Sequence, residues 1–288
     1  MVSRLFFTKG WLPNMEKKNI AVQLYSVRDA MQQDFYGTLK QVKSFGYDGV
    51  EFAGLYNNDP AEVKKMCQEL GLIPISAHVP VQQLMDDMDG TIETYRTIGC
   101  KYVVIPSLPE ELRPGHEGFQ TLMDFMKVLG KALGEKGMVL QYHNHDFEFV
   151  KIDGEYPLDI LYKEVGPELL QTQLDTCWVN VGGENPASYV RKYAGRTPTI
   201  HLKDFVGQKS ANMYQLIGVN ADKKQEATQG FEFRALGRGK QDFPAIVQAG
   251  IDGGADWFIV EQDMPTEGFT SLESIEISAK YLLNEIFA

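Results

Sequence analysis

Apolar and polar positions alternate along the chain with two periods. Short apolar runs bounded by turn residues occupy Ile20–Val27, Gly49–Gly54, Ile73–Val79, Lys101–Pro106, Val139–His145, Leu169–Cys177, Pro198–Asp204 and Asp256–Asp263, the pattern of buried strands. Between them lie stretches with helical spacing: Phe35–Phe45, Pro60–Leu70, Val81–Ile98, Gly118–Lys136, Pro157–Val165, Pro186–Tyr193, Phe243–Ala249 and Ser271–Phe287. Gly46, Gly71, Gly99 and Gly137 stop four of these helices, and Asp59 stands where an N-cap belongs. Eight strands in strict alternation with eight helices predict right-handed crossovers and a parallel sheet. Eight units predict closure into a single (β/α)8 TIM barrel. The first strand is followed by Tyr25-Ser26-Val27-Arg28-Asp29, not by G-x-G-x-x-G, which disfavours a dinucleotide-binding sheet.

Two segments depart from the alternation. Residues 1–18 read as an N-terminal extension, loose over Met1–Asn14, ahead of a barrel domain over 19–288. Residues 207–231 form a long segment after the seventh strand, at the rim where loops act as lids or substrate walls.

The chemistry stands at the ends of the late strands. They finish in Tyr142-His143-Asn144-His145, Leu174-Asp175, His201-Leu202-Lys203-Asp204 and Val260-Glu261. In a parallel barrel these ends share one rim, which is the reactive face. His, Asp, His and Glu delivered there suit one divalent metal ion such as Mn, Zn, Co, Fe or Mg. His143 and His145 alternate along a strand and are candidate proton-transfer groups. Lys203 is placed to hold a substrate oxygen or an enediolate, or alternatively to pair with Glu261 or Asp263. Gln23, Tyr25, Glu51 and His78 end earlier strands and are read as substrate-binding. Trp178 is a candidate to stack on a ligand ring or else to pack in the core, and Arg238, between two glycines, to reach a substrate or else to sit in a solvated turn.

Composition narrows the partners. The formal net charge of −11 over 288 residues argues against nucleic acid and anionic membranes. Five histidines fall short of the multi-metal sites of endonucleases sharing this fold. Three cysteines, Cys67, Cys100 and Cys177, without a CxxC, point to a reducing, cytoplasmic setting and to packing roles.

Taken together in order, Ala21-Val22-Gln23-Leu24-Tyr25-Ser26, Gly49-Val50-Glu51-Phe52, Ser76-Ala77-His78, the His143-Asn144-His145 stretch, Leu174-Asp175, His201-Leu202-Lys203-Asp204, Leu236-Gly237-Arg238-Gly239 and Val260-Glu261 make the chain resemble the sugar phosphate isomerase/epimerase superfamily, barrels similar to xylose isomerase. The resemblance implies one metal held by Glu, Asp, His and Glu from strands five to eight. Asp175, His201 and Glu261 match the last three places. Strand five departs: His143 stands nearest the expected Glu. Either His143 ligates, or Glu148 folds back to supply the carboxylate. Glu148 is the expected ligand, because it preserves the family's three-carboxylate charge. The implied activity is a metal-dependent sugar isomerase or epimerase working by proton abstraction beside a carbonyl. The alternative is a lyase, dehydratase or hydrolase acting on a keto-sugar, keto-glycoside or inosose. A small carbohydrate is the expected partner, and a homodimer is compatible with the resemblance.

Overall fold

In a computed structural model of the chain, the described residues are 15, 17–209 and 230–288. Most of the expected N-terminal extension, and residues 210–229 of the expected rim segment, lie outside the described residues.

Eight parallel strands close a barrel: β1 (Asn19–Gln23), β2 (Gly49–Phe52), β3 (Ile73–His78), β4 (Tyr102–Ile105), β5 (Val139–His143), β6 (Gln171–Asp175), β7 (Thr199–Leu202) and, closing against β1, β10 (Trp257–Val260). Between the last two, β8 (Asp204–Val206) and β9 (Glu232–Arg234) form an antiparallel ribbon. The helices are α1 (Arg28–Gln33), α2 (Phe35–Ser44), α3 (Pro60–Leu70), α4 (Val81–Asp86), α5 (Met88–Ile98), α6 (Gly118–Glu135), α7 (Pro157–Val165), α8 (Thr176–Val181), α9 (Pro186–Lys192), α10 (Phe243–Asp252) and α11 (Ser271–Tyr281).

Strand alternation sorts side chains onto two faces. Ile20, Val22, Leu140, Tyr142, Leu174, Ile200, Phe258 and Val260 pack outward against helix residues such as Leu39, Leu122, Leu161, Ile246 and Ile275, all buried. A separate apolar cluster, Ala21, Ile75, Tyr102, Val104 and Ile259, draws on β1, β3, β4 and β10. The alternate positions of β5, β6 and β7 are polar: Gln141, Gln173 and Thr199 are fully buried and bond one another. Cys67, Cys100 and Cys177 are buried free thiols. Among the described residues no helix is long and apolar enough to cross a membrane.

The eight-stranded barrel agrees with the alternation read from the sequence, and the differences have local causes. The first strand stops at Gln23, whose side chain accepts a bond from the Tyr25 backbone N–H at 2.9 Å and caps a 3-10 turn over Leu24–Val27. Helix α1 follows, in a stretch with no clear apolar face. The expected helix Val81–Ile98 breaks at Asp87, which turns out to φ −147° and caps α5 through Gly90. The strand expected to end at Cys177 ends at Asp175, which caps α8.

Candidate metal centre

Four side chains from the ends of β5, β6, β7 and β10 converge. His143, Asp175, His201 and Glu261 each offer a ligand atom, and these atoms all lie within 4.8 Å of one another; all four residues are buried. Two imidazole nitrogens and two carboxylate oxygens are the donor set a borderline divalent ion takes.

Each donor is aimed by a second contact. Asp175 Oδ1 caps α8, accepting from the backbone N–H groups of Cys177 at 2.8 Å and Trp178 at 3.0 Å. That leaves Oδ2 to face the cluster. Asn144 clamps the same strand end, accepting from the Asp175 N–H at 3.0 Å. His143 places Nδ1 3.1 Å from Gln173 Oε1, so Nε2 faces Asp175 and Glu261, 3.7 and 3.8 Å away. His201 lies between two carboxylates, with Nδ1 3.0 Å from Glu261 and Nε2 2.7 Å from Glu51. A carboxylate behind a ligating imidazole fixes its tautomer and orientation, and Glu51 holds that place.

Glu51, expected to bind substrate, is placed here behind His201 rather than in the cavity wall. It is fully buried and also accepts from Gln23 at 2.8 Å, Ser76 at 2.6 Å and Gln173 at 2.6 Å. Gln23 is spent on Glu51 and the Tyr25 backbone, again below the open rim. Gln173, which the sequence reading passed over, joins His78 (2.7 Å), His143 and Glu51 in one network. A buried glutamine at alternate spacing to Asp175 was its only signal.

Glu148 is not brought to the cluster. One oxygen accepts from the Tyr142 hydroxyl and the other from the His145 backbone N–H at 2.9 Å. Tyr142 packs on the outward face of β5, so the expectation that Glu148 folds back to complete the set is corrected: His143 holds that position. The 3-10 turn over Phe147–Phe149 carries the carboxylate behind the strand rather than over the rim. Burial pushes the Glu148 carboxyl up to about 8.

Lys203 is found in the ion-pair arrangement. Its Nζ lies 3.0 Å from Asp175, 2.9 Å from Glu261 and 2.9 Å from Asp263, so its three N–H donors are spent on carboxylates. Burial alone would lower the Lys203 ammonium, but Asp175, Asp263 and Glu261 hold it well above the usual lysine range. For Glu261, burial is outweighed by Lys203 and His201, which hold it well below the carboxylate range. Burial opposes the His201 cation, but Glu51 and Glu261 carry it up to about 10. His143 and His145 stay neutral: burial first, then His201, hold the former well down, while burial and Lys203 take the latter to about 3.

A cavity of about 420 Å³ opens onto the centre, and His143, His145, Lys203, Glu261, His78 and Tyr25 all line it. His145 lies past the end of β5, its ring 5.4 Å from His143 and 5.4 Å from Trp178. Trp178 does not reach the cavity as a stacking platform. It is fully buried with Phe205 and Phe233 of the ribbon and Phe231 just before its second strand, under the Lys203 ammonium. Arg238 is exposed in the turn after β9 and is absent from the cavity wall. That turn is structural. Asp204 accepts from the Gly239 N–H at 2.8 Å, and a Cβ on Gly239 would meet the Asp204 carboxylate at 2.1 Å.

A barrel whose late strand ends bring imidazoles and carboxylates to one mouth defines a metal-site TIM-barrel class. Residues 39–284 match the family described as xylose isomerase-like TIM barrel, and the chain belongs to that family. Curated relatives include the inosose dehydratase of Geobacillus kaustophilus, 26% identical over 190 residues that span 58% of this chain and 60% of that protein. The inosose dehydratase of Bacillus cereus is 22% identical over 81% of this chain and 83% of its own length. Among solved structures, a sugar phosphate isomerase/epimerase from Parabacteroides distasonis superposes with TM-score 0.75 at 21% identity, covering 94% of this chain and 99% of its own. IolI protein with a bound zinc atom superposes at 0.68 and 16% identity, covering 93% and 98%.

Proposed function

We propose that this protein is a divalent-metal-dependent enzyme that removes a proton beside the carbonyl of a carbohydrate and then expels the oxygen substituent one carbon further on, as a dehydratase or lyase does. The observation that carries this reading is the convergence of His143, Asp175, His201 and Glu261 at a cavity walled by His145. The zinc atom in the IolI structure and the inosose dehydratase name of the curated relatives support it.

A bound metal would polarise the substrate carbonyl and take up charge as the adjacent C–H bond breaks. His145 lines the cavity beside His143, which makes it the candidate to accept that proton. The electron pair of the C–H bond becomes the double bond of an enolate. When the carbonyl re-forms, the β carbon–oxygen bond breaks, and the proton on His145 leaves with that oxygen as water or an alcohol. Lys203 positions Asp175, Glu261 and Asp263 throughout. Glu51 and Gln173 hold the two ligand imidazoles.

An isomerase or epimerase shares the first step and returns the proton to carbon. Epimerisation needs a second acid on the opposite face, whereas isomerisation returns the proton to the neighbouring carbon and needs none. Against epimerisation, strand five ends in His143 rather than the family's carboxylate, and His78 Nε2 is held by Gln173 and Glu51. Incubation of Mn- or Zn-loaded protein with an inosose or a keto-glycoside in heavy water, followed by mass spectrometry, separates the outcomes. Loss of water or alcohol supports the lyase. Solvent deuterium entering substrate that keeps its substituent overturns the lyase in favour of the isomerase, and the absence of both changes overturns the whole proposal.

A further inference from the structure

A second cavity, about 490 Å³, adjoins the first and shares Tyr25 and Ala53 with it; its other lining residues are Arg28, Asp29, Gln32 and Tyr56. Of the two shared residues Ala53 is small, and it is followed by Gly54, where an added Cβ would meet nothing within 4 Å. A ligand seated over the metal centre can therefore continue outward past Ala53.

The outer cavity is built around a tyrosine held at some cost. Tyr56 and Asn57 have φ of 52° and 64°, two of the three non-glycine residues with positive φ among the described residues. Two consecutive left-handed residues persist only where the surroundings impose them, and such strain gathers at ligand-binding positions. Here Asn58 imposes it, closing the turn on the Leu55 carbonyl through its backbone N–H at 2.9 Å and its side-chain amide at 2.8 Å. Phe35 backs the Tyr56 ring at 6.0 Å.

Charge then selects the ligand. Arg28 donates to the carbonyls of Tyr25 at 2.9 Å and Asp263 at 2.8 Å, lies over the Tyr25 ring, and has Asp29 beside it. In the inner cavity, the Lys203 cation faces three carboxylates. Neither chamber offers a net positive field to a phosphate. Aromatic faces edged by an amide and a carboxylate suit a neutral polyhydroxylated ring, whose C–H face packs on tyrosine and whose hydroxyls bond the polar edge.

We propose that the outer cavity is a second subsite, taking the neutral ring appended to an oxidised sugar whose own ring sits over the metal centre: the substrate is a glycoside, not a monosaccharide phosphate. This rests on the carbohydrate reading above. The test is calorimetric binding of three probes to Mn-loaded protein: a keto-disaccharide, the matching methyl keto-glucoside, and keto-glucose 6-phosphate. Turnover is read in parallel. The disaccharide is expected to bind about tenfold more tightly than the methyl glycoside, the scale of one aromatic contact, and the phosphate most weakly. Tyr56→Ala should erase that margin, and Ala53→Leu, which narrows the passage without touching the strained turn, should do the same. Equal binding of disaccharide and methyl glycoside, or tightest binding of the phosphate, overturns the subsite even where turnover is seen. A disaccharide margin lost in both variants, without turnover, upholds the subsite and counts only against the reaction.

Discussion

The two halves of the barrel mouth are built differently. The ends of β1 to β3 carry Gln23, Glu51, Ser76 and His78, each bonded into one network. The ends of β5, β6, β7 and β10 carry like charges crowded together, with Asp175, Glu261 and Asp263 around one ammonium. The first half spends its polar groups on holding shape; the second crowds three carboxylates around the Lys203 ammonium and the His201 ring. The metal reading assigns binding to the half whose charges are crowded and precision to the half that is satisfied.

The largest effect should come from removing the internal cation. Lys203→Met leaves three buried carboxylates facing one another, a change worth about 3–5 kcal/mol for a broken buried pair. Thermal unfolding of metal-free Lys203→Met should fall sharply and recover when Zn or Mn is added. Loss without recovery would mean the crowded half is not a cation site. A smaller effect tests the carboxyl behind β5. Glu148 sits at about 8 in the folded chain against an ordinary 4.5, so the native state holds the extra proton between those values. Stability should therefore fall as pH rises from about 4.5 to about 8, and Glu148→Gln should flatten that slope in denaturant titrations. An unchanged slope would place the ionisation elsewhere. The smallest effect is a proton count. His201, at about 10, is an imidazolium in the metal-free protein at neutral pH. It must lose a proton to ligate, so metal affinity should rise with pH up to that value. Calorimetry in buffers of different ionisation enthalpy should show about one proton released from this residue; none released would show that His201 is not a ligand. The stability that this imidazolium lends the metal-free fold is complete below its ordinary 6.5 and disappears as pH passes about 10.

The barrel was legible because strand and helix periods alternate eight times, and side-chain alternation sends every second residue of a strand inward. The same rule brought His143, Asp175, His201 and Glu261 to one rim. The difference at strand five, where His143 and not Glu148 joins the cluster, sets family charge against geometry. Tyr142 and the His145 backbone claim Glu148, and no periodicity reveals a carboxylate held behind a strand. Trp178 and Glu51 lie away from the cavity wall for a related reason. Their chemistry suits a sugar, but burial beneath the ribbon, or against His201, depends on tertiary contacts that residue type does not carry. Tyr56 escaped notice because its strain is a property of φ alone.

The central claim is that His143, not Glu148, completes the metal centre. Elemental analysis of wild type, His143→Ala and Glu148→Gln, each reconstituted with Zn or Mn and desalted, tests it directly. The account predicts one metal per chain in wild type and Glu148→Gln, and loss in His143→Ala while its circular dichroism stays native. Metal kept in His143→Ala but lost in Glu148→Gln would contradict it.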